Sequence, residues 1–282
     1  MAIALPKGAD EPNPQSAIRN PQLVAVICAL EEELRHLRAL LPAGREEWHA
    51  GRLYELTELA RRRIVLARCG IGMLSAAAVA EAVIGRWAPE IVLNYGCTGA
   101  HRDDLLPGDI VVGERTVAYD SVMVAPDGGE TFKPMYYLRA NEQRRADYFP
   151  GDPALLAAAR RAVERLEGQH QPWPPTSGWP PQVPHRVPRV VYGTVASADR
   201  WNRSPERIAS LVARHGTHCE DMEAAAIALV CAGHDLPFLS VKDISNNELL
   251  RLTSGDDFDI ETSGQLGKRA AVVVGELLRE LG

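Results

Sequence analysis

Leu23-Val24-Ala25-Val26-Ile27-Cys28-Ala29-Leu30-Glu31-Glu32-Glu33-Leu34 is the stretch that decides the fold class. Its first six residues form a continuous apolar run, short enough for a strand buried on both faces. Over 29–40 the pattern turns helical, with Leu30, Leu34, Leu37 and Leu41 at three- to four-residue spacing. Glu31, Glu32 and Glu33 fall in the first turn, where the helix dipole favours negative charge. A buried strand that feeds an amphipathic helix is the opening unit of an α/β sheet.

The same alternation continues outward from this unit. Residues 52–58 and 63–69 read as a strand pair, broken by Gly70-Ile71-Gly72 before an alanine-rich helix over 73–87 that stops near Pro89. Further apolar runs at Ile91-Val92-Leu93-Asn94-Tyr95, Asp109-Ile110-Val111-Val112, 190–196 and 237–242 read as core strands. Helices are expected over 153–166, 205–214, 221–232 and 263–281. The reading is an α/β fold: one three-layer α/β/α domain with a mixed central sheet over 21–282. A flexible tail over 1–20 precedes it. Seven of the 20 prolines fall within 172–188. That density excludes helix and central strand, so 168–189 is expected as a proline-rich surface insertion.

Composition narrows the function classes. The 282 residues carry 31 Lys+Arg against 37 Asp+Glu, a net charge of -6, which argues against a nucleic-acid binder. No stretch approaches the roughly 18 apolar residues of a membrane helix, and 1–20 lack the apolar core of a secretory signal. The five cysteines, Cys28, Cys69, Cys97, Cys219 and Cys231, are scattered and form no CxxC pair. They suggest neither a zinc site nor a disulfide framework, and a reduced cytoplasmic protein is expected.

Ligands of open α/β sheets collect beyond the carboxyl ends of the strands. Here those ends carry the glutamate triplet, Gly70-Ile71-Gly72, Gly96-Cys97-Thr98-Gly99, Glu220-Asp221-Met222-Glu223 and Lys242-Asp243-Ile244-Ser245-Asn246-Asn247. Each has a plain structural reading as well: capping and solubility for the acids, tight turns for the glycines and asparagines.

Taken in order, these segments resemble the nucleoside phosphorylase/nucleosidase superfamily from about Val24 to Leu281. The Asp-Met-Glu-Ala run at 221–224 is the most specific, and Ala29-Leu30-Glu31-Glu32-Glu33 looks like the methylthioadenosine/S-adenosylhomocysteine nucleosidase branch. The resemblance implies cleavage of a purine nucleoside at its N-glycosidic bond by water, with no cofactor and no metal, in a homodimer. It implies Glu33 as the base that activates water and Glu223 as the group that binds the ribose hydroxyls, with Met222 beside the sugar. Trp201 matches an aromatic that stacks on the base. Gly72, Gly99, Cys97 and Lys242 match further substrate-site positions, Cys97 standing where the family uses serine.

Asn94 stands where many phosphorylases carry an arginine, and the glutamates would repel phosphate, so hydrolysis is expected over phosphorolysis. Asn246 replaces the aspartic acid of the adenine-specific nucleosidases. An amide cannot donate a proton as an acid, although its NH2 can hydrogen-bond. Asparagine here resembles branches that act on 6-oxopurines, of the futalosine or inosine type. Asp243 or Asn247 are candidates to compensate. A phosphorylase, or a nucleoside-binding sensor with little turnover, would also fit these segments.

Overall fold

The two-residue period of a strand sorts the first apolar run onto both faces of a sheet. Every residue of β1 (Leu23–Cys28) is buried. Leu23, Ala25 and Ile27 enter one core, and Val24, Val26 and Cys28 enter the other. This computed structural model describes residues 23–170, 184, 186–252 and 264–282. The tail expected at 1–20 and most of the proline-rich stretch (171–183 and 185) lie outside the described residues.

After β1 come α1 (Glu31–Arg38), β2 (Arg45–His49), β3 (Arg52–Leu59), β4 (Arg62–Arg68), α2 (Met73–Trp87), β5 (Ile91–Ala100) and β6 (Ile110–Ala118). Short strands follow: β7 (Val122–Val124), β8 (Glu130–Phe132), β9 (Met135–Arg139), β10 (Glu142–Ala146) and β11 (Phe149–Pro150). The chain continues through α3 (Pro153–Arg165), β12 (Val190–Ser197), α4 (Pro205–His215), β13 (Thr217–Asp221), α5 (Ala224–Gly233), β14 (Phe238–Asn246) and α6 (Lys268–Glu280).

Ten strands make one mixed sheet. β1 pairs in parallel with β4 and β5, and β5 pairs in parallel with β14. β14 lies antiparallel to β6, β6 parallel to β12, β12 parallel to β13, and β13 antiparallel to β5. Strands β5, β14, β6, β12 and β13 thus close into a ring. β4, β3 and β2 extend the sheet beyond β1, and β11 adds to β6. Helices α2 and α5 cover one face through Val79, Val83 and Ile227. Helices α1, α3 and α6 cover the other through Leu37, Ala162 and Leu277. This is the three-layer α/β/α arrangement with a mixed sheet that the sequence pattern predicts. Among the described residues no helix is long and apolar enough to cross a membrane.

Several element bounds need correction, among them the strands expected over 109–112 and 237–242, which run on to Ala118 and Asn246. The helix expected over 221–232 begins only at Ala224, because Thr217–Asp221 is a strand of the ring. Its charged residues hid it: Glu220 and Asp221 are buried at 8% and 6% exposure against partners from other segments, which no local pattern announces. β2 and β7–β11 carry no strand signal in the sequence. β2 is joined to β3, and β9 to β10, by two-residue turns with positive φ at Ala50-Gly51 and Ala140-Asn141, neither of them an Asn-Gly or Asp-Gly pair. The strand expected to end at Tyr95 runs on to Ala100, with Gly96 at φ 153.

Candidate active site

A cavity of about 440 Å³ opens at the carboxyl ends of β1, β5, β13 and β14, large enough for a small organic ligand. Of the residues expected at the site, Glu33, Cys97, Gly99, Trp201, Met222, Glu223 and Asn246 line it. Gly72 and Lys242 stand behind the lining and act on residues that form it.

Glu33 is held chiefly by backbone groups. Ala29 N–H (3.0 Å) and Leu30 N–H (2.9 Å) donate to Oε2, and Cys97 N–H (2.8 Å) donates to Oε1. The bond from Leu30, the residue before α1, is half of a capping box, so the local helix start already aims the carboxylate. Two glycines make its room. A Cβ on Gly96 would sit 2.5 Å from Glu33 Oε1, and one on Gly267 would sit 2.9 Å from its Cγ. Oε1 carries one backbone donor, and the Cys97 thiol also hydrogen-bonds to this carboxylate.

Glu223 sits just before α5. It accepts from Gly72 N–H (3.0 Å) on Oε1 and from Met222 N–H (3.3 Å) on Oε2. Burial, then the neighbouring Asp221 charge, push its carboxyl up to about 7, while Lys242 and the Gly72 N–H pull the other way. Asp221 does not enter α5. It receives Lys242 Nζ at 2.7 Å and Ala224 N–H at 3.0 Å, and it accepts from the Ser197 hydroxyl. Burial alone would lower Lys242, but Asp221, Glu223 and Glu33 outweigh it and hold the ammonium well above its ordinary range. Lys242 therefore neutralises the floor of the site from a fully enclosed position.

Asn246 reaches the cavity through an irregularity in β14. Ser245 and Asn246 both line it, which a regular strand forbids. The register against β5 shifts between Ile244 and Asn246, and that bulge turns two successive side chains the same way. Asn246 Oδ1 accepts from Ser245 Oγ (2.8 Å), and its amide lies against Gly99, where a Cβ would be 3.4 Å from Nδ2. Neither candidate for compensation reaches the pocket lining. Asp243 caps α6, accepting from Gly267 N–H (3.0 Å) and Arg269 N–H (2.8 Å), and burial raises its carboxyl to about 7. Asn247 donates to the carbonyls of Arg102 (2.8 Å) and Leu105 (2.7 Å). Asn94 is likewise structural, donating to Ile27 O at 3.1 Å.

Cys97 lines the cavity, but burial and then the Glu33 charge push its thiol well above its ordinary pKa, so it is no thiolate nucleophile. Trp201 is a rim residue, 58% exposed, on the loop after β12. That loop is fastened by Glu220, which accepts from Asn202 N–H (3.1 Å), the Asn202 side chain and Tyr119 OH (3.0 Å). Glu220, Arg200, Ser245 and Leu266 also line the cavity. Glu220 and Ser245 fall within segments the sequence places at the strand ends but receive no role there, because the acid reads equally as first-turn charge and the serine as part of a strand. Arg200 and Leu266 are not singled out at all. Among the described residues no group of His, Cys, Asp and Glu could hold a metal ion.

A family model described as the phosphorylase superfamily matches residues 23–281. A 5′-methylthioadenosine/S-adenosylhomocysteine nucleosidase of Mycobacterium bovis is 28% identical over 256 residues, covering 90% of this chain and 96% of that protein. Its counterpart from Shewanella pealeana is 29% identical over 260 residues, with 92% and 99% covered. The crystal structure of the Neisseria meningitidis enzyme in complex with methylthio-immucillin-A superposes with a TM-score of 0.71 at 28% identity, over 92% of this chain and 99% of that one.

Proposed function

This chain belongs to the phosphorylase superfamily, and on that premise we propose that it hydrolyses the N-glycosidic bond of purine nucleosides, in the manner of a methylthioadenosine/S-adenosylhomocysteine nucleosidase. The observation that carries this reading is the Glu33 carboxylate, fixed at the cavity wall by three backbone N–H groups.

In this mechanism the Glu33 carboxylate accepts a proton from a water molecule as the water oxygen attacks the anomeric carbon. The C–N bond breaks and its electron pair stays on the purine. Glu223 accepts hydrogen bonds from the ribose hydroxyls, and its charge favours the cationic sugar of the transition state. Asn246 donates an N–H to the departing base, which then takes its proton from solvent. Met222 packs beside the sugar, and Trp201 covers the base from the rim.

Water is preferred over phosphate as the nucleophile on electrostatic grounds. Glu32, Glu33, Glu220, Asp221 and Glu223 line the cavity, and among the described residues Arg200 is the sole arginine or lysine that does so. Phosphate recognition calls for converging arginines and free backbone N–H groups, and the Cys97 N–H is already taken by Glu33. A second reading of the base is favoured by Asn246: an amide NH2 suits a 6-oxopurine, whose N7 and 6-oxygen both accept. A homodimer in the cytoplasm completes the proposal, resting on the family resemblance.

The test is a nucleoside panel with adenine and hypoxanthine members in phosphate-free buffer, followed by chromatography. Free base together with free sugar is the expected product. Release of base only after phosphate is added, with ribose 1-phosphate as the second product, would overturn the hydrolytic reading.

A further inference from the structure

Beyond Asn246, β14 runs into a short helical turn, Glu248–Leu250, that is clamped to the body of the protein. Asn247 is fully buried. Its amide donates to two carbonyls, and its Oδ1 accepts from Leu249 N–H (3.0 Å) and Leu250 N–H (3.3 Å). The turn therefore presents Glu248 from a fixed backbone. The Glu248 side chain is only 7% exposed, with Arg203 Nε at 3.5 Å on its open side.

Two of its contacts come from cavity-lining side chains on separate segments. Asn246 Nδ2 lies 3.5 Å from Glu248 Oε1, and the Trp201 indole also hydrogen-bonds to this carboxylate. We propose that Glu248 is a positioning residue that sets the choice of purine base, by locking the Asn246 amide in one of its two orientations and tethering Trp201. The inference rests on the purine-nucleosidase reading and deepens it.

A side-chain amide can turn by half a rotation, which exchanges its donor and its acceptor. Ser245 Oγ donates to Oδ1 on one side at 2.8 Å, and a carboxylate stands on the other. Turning the amide would only reverse the serine bond, since the hydroxyl can accept from Nδ2 and donate to Thr98 O (3.2 Å). But it would set Oδ1 against a carboxylate oxygen, acceptor against acceptor, so the carboxylate fixes the choice. The indole N–H can only donate, so it has no alternative use for the same partner. One buried carboxylate thus fixes two groups proposed to meet the base. A 6-amino and a 6-oxo purine present opposite hydrogen-bonding groups at that position. A locked amide distinguishes them, whereas a free one accommodates either.

The experiment compares the wild type with Glu248→Ala and Glu248→Gln. The readout is the ratio of kcat/KM for hypoxanthine and adenine nucleosides bearing the same 5′ group. Whichever base the wild type prefers, the ratio in Glu248→Ala should move toward unity by about tenfold or more, the size of one lost polar discrimination. The change should fall mainly on KM for the preferred base. Glu248→Gln, which keeps an acceptor oxygen, should lie between the two. Trp201 emission should shift in Glu248→Ala. A ratio unchanged within twofold in a variant that melts with the wild type overturns the proposal. If Glu248→Ala does not fold, the same criterion applies to Glu248→Gln. If the wild type releases no base, the hydrolase reading has failed. Glu248 is then tested on binding alone, by the calorimetric ratio of hypoxanthine to adenine affinity, and an unchanged ratio again overturns it.

Discussion

Replacing Gly96 by alanine tests the central carboxylate without touching it. The added methyl would lie 2.5 Å from Glu33 Oε1, 2.9 Å from its carboxyl carbon and 3.0 Å from Oε2. Heavy-atom contacts to carbon settle near 3.5 Å, so the carboxylate must retreat by about 1 Å or the strand must bend. Retreat is obstructed, because Oε2 is tied to Ala29 and Leu30 and the stem of Glu33 already rests on Gly267. The 2.8 Å bond from Cys97 N–H is lost in either case. A displacement of about 1 Å in a catalytic group costs roughly 100-fold in rate. Overpacking costs about 1–3 kcal/mol of stability, so the variant should still fold. The assay is the initial rate of base release at 25 °C, paired with a melting curve. Gly85→Ala is the control: Gly85 lies exposed in α2 with nothing within 4 Å of a Cβ, so it should leave the rate unchanged. A Gly96→Ala enzyme with kcat/KM within about threefold of wild type would refute the idea that this glycine seats the water-activating base.

Two further outcomes follow from the buried charges. Glu223 titrates near 7 in the folded protein against an ordinary 4.5. Between those values the native state holds a proton that the unfolded chain has lost, so this group's contribution to stability falls as pH rises. Activity should climb over the same interval as the ionised form becomes available to the ribose. Glu223→Gln should abolish turnover and flatten that part of the stability profile, as read from urea midpoints across pH. Lys242→Met leaves Asp221 buried without its cation and should destabilise the fold by about 3–5 kcal/mol. Pairing it with Asp221→Asn should recover part of the loss, and a single variant as stable as wild type in urea would show that the ion pair contributes little.

The sheet and its covering helices are legible where burial is uniform along an element. β1 could be bounded from sequence by its continuous apolar run, and α2 by Gly72 before it and Pro89 after it. β13 could not, since its acids are satisfied by Lys242, Tyr119 and Asn202 from distant segments. In the site, Glu33 and Glu223 are singled out by the family resemblance alone, since a place in the first turn of α1 is shared by Glu31 and Glu32 and does not choose among them. The last strand is opaque because all nine residues of β14 are buried, leaving no alternation to orient Asp243, Asn246 and Asn247. Only the bulge tells which of them faces the cavity. Glu248 was invisible for a related reason: an acid on a short turn reads as surface until its partners are known.

The ring of strands also governs how this protein can meet others of its kind. Because β5, β14, β6, β12 and β13 close on one another, the ten-stranded sheet has, among the described residues, two termini, β2 and β11. β11 is two residues long and ends in Pro150, which has no N–H to offer. β2 presents Arg45, Glu46 and Glu47, charges that discourage another strand from adding alongside. Growth of the sheet by strand addition, the common route from a β-rich domain to an ordered aggregate, is blocked at both ends. Self-association is thereby directed away from the ten-stranded sheet to its covering helices, the loops and the small β7–β8 and β9–β10 hairpins, so its specificity is open to change by surface substitution without disturbing the hydrogen-bonded framework beneath.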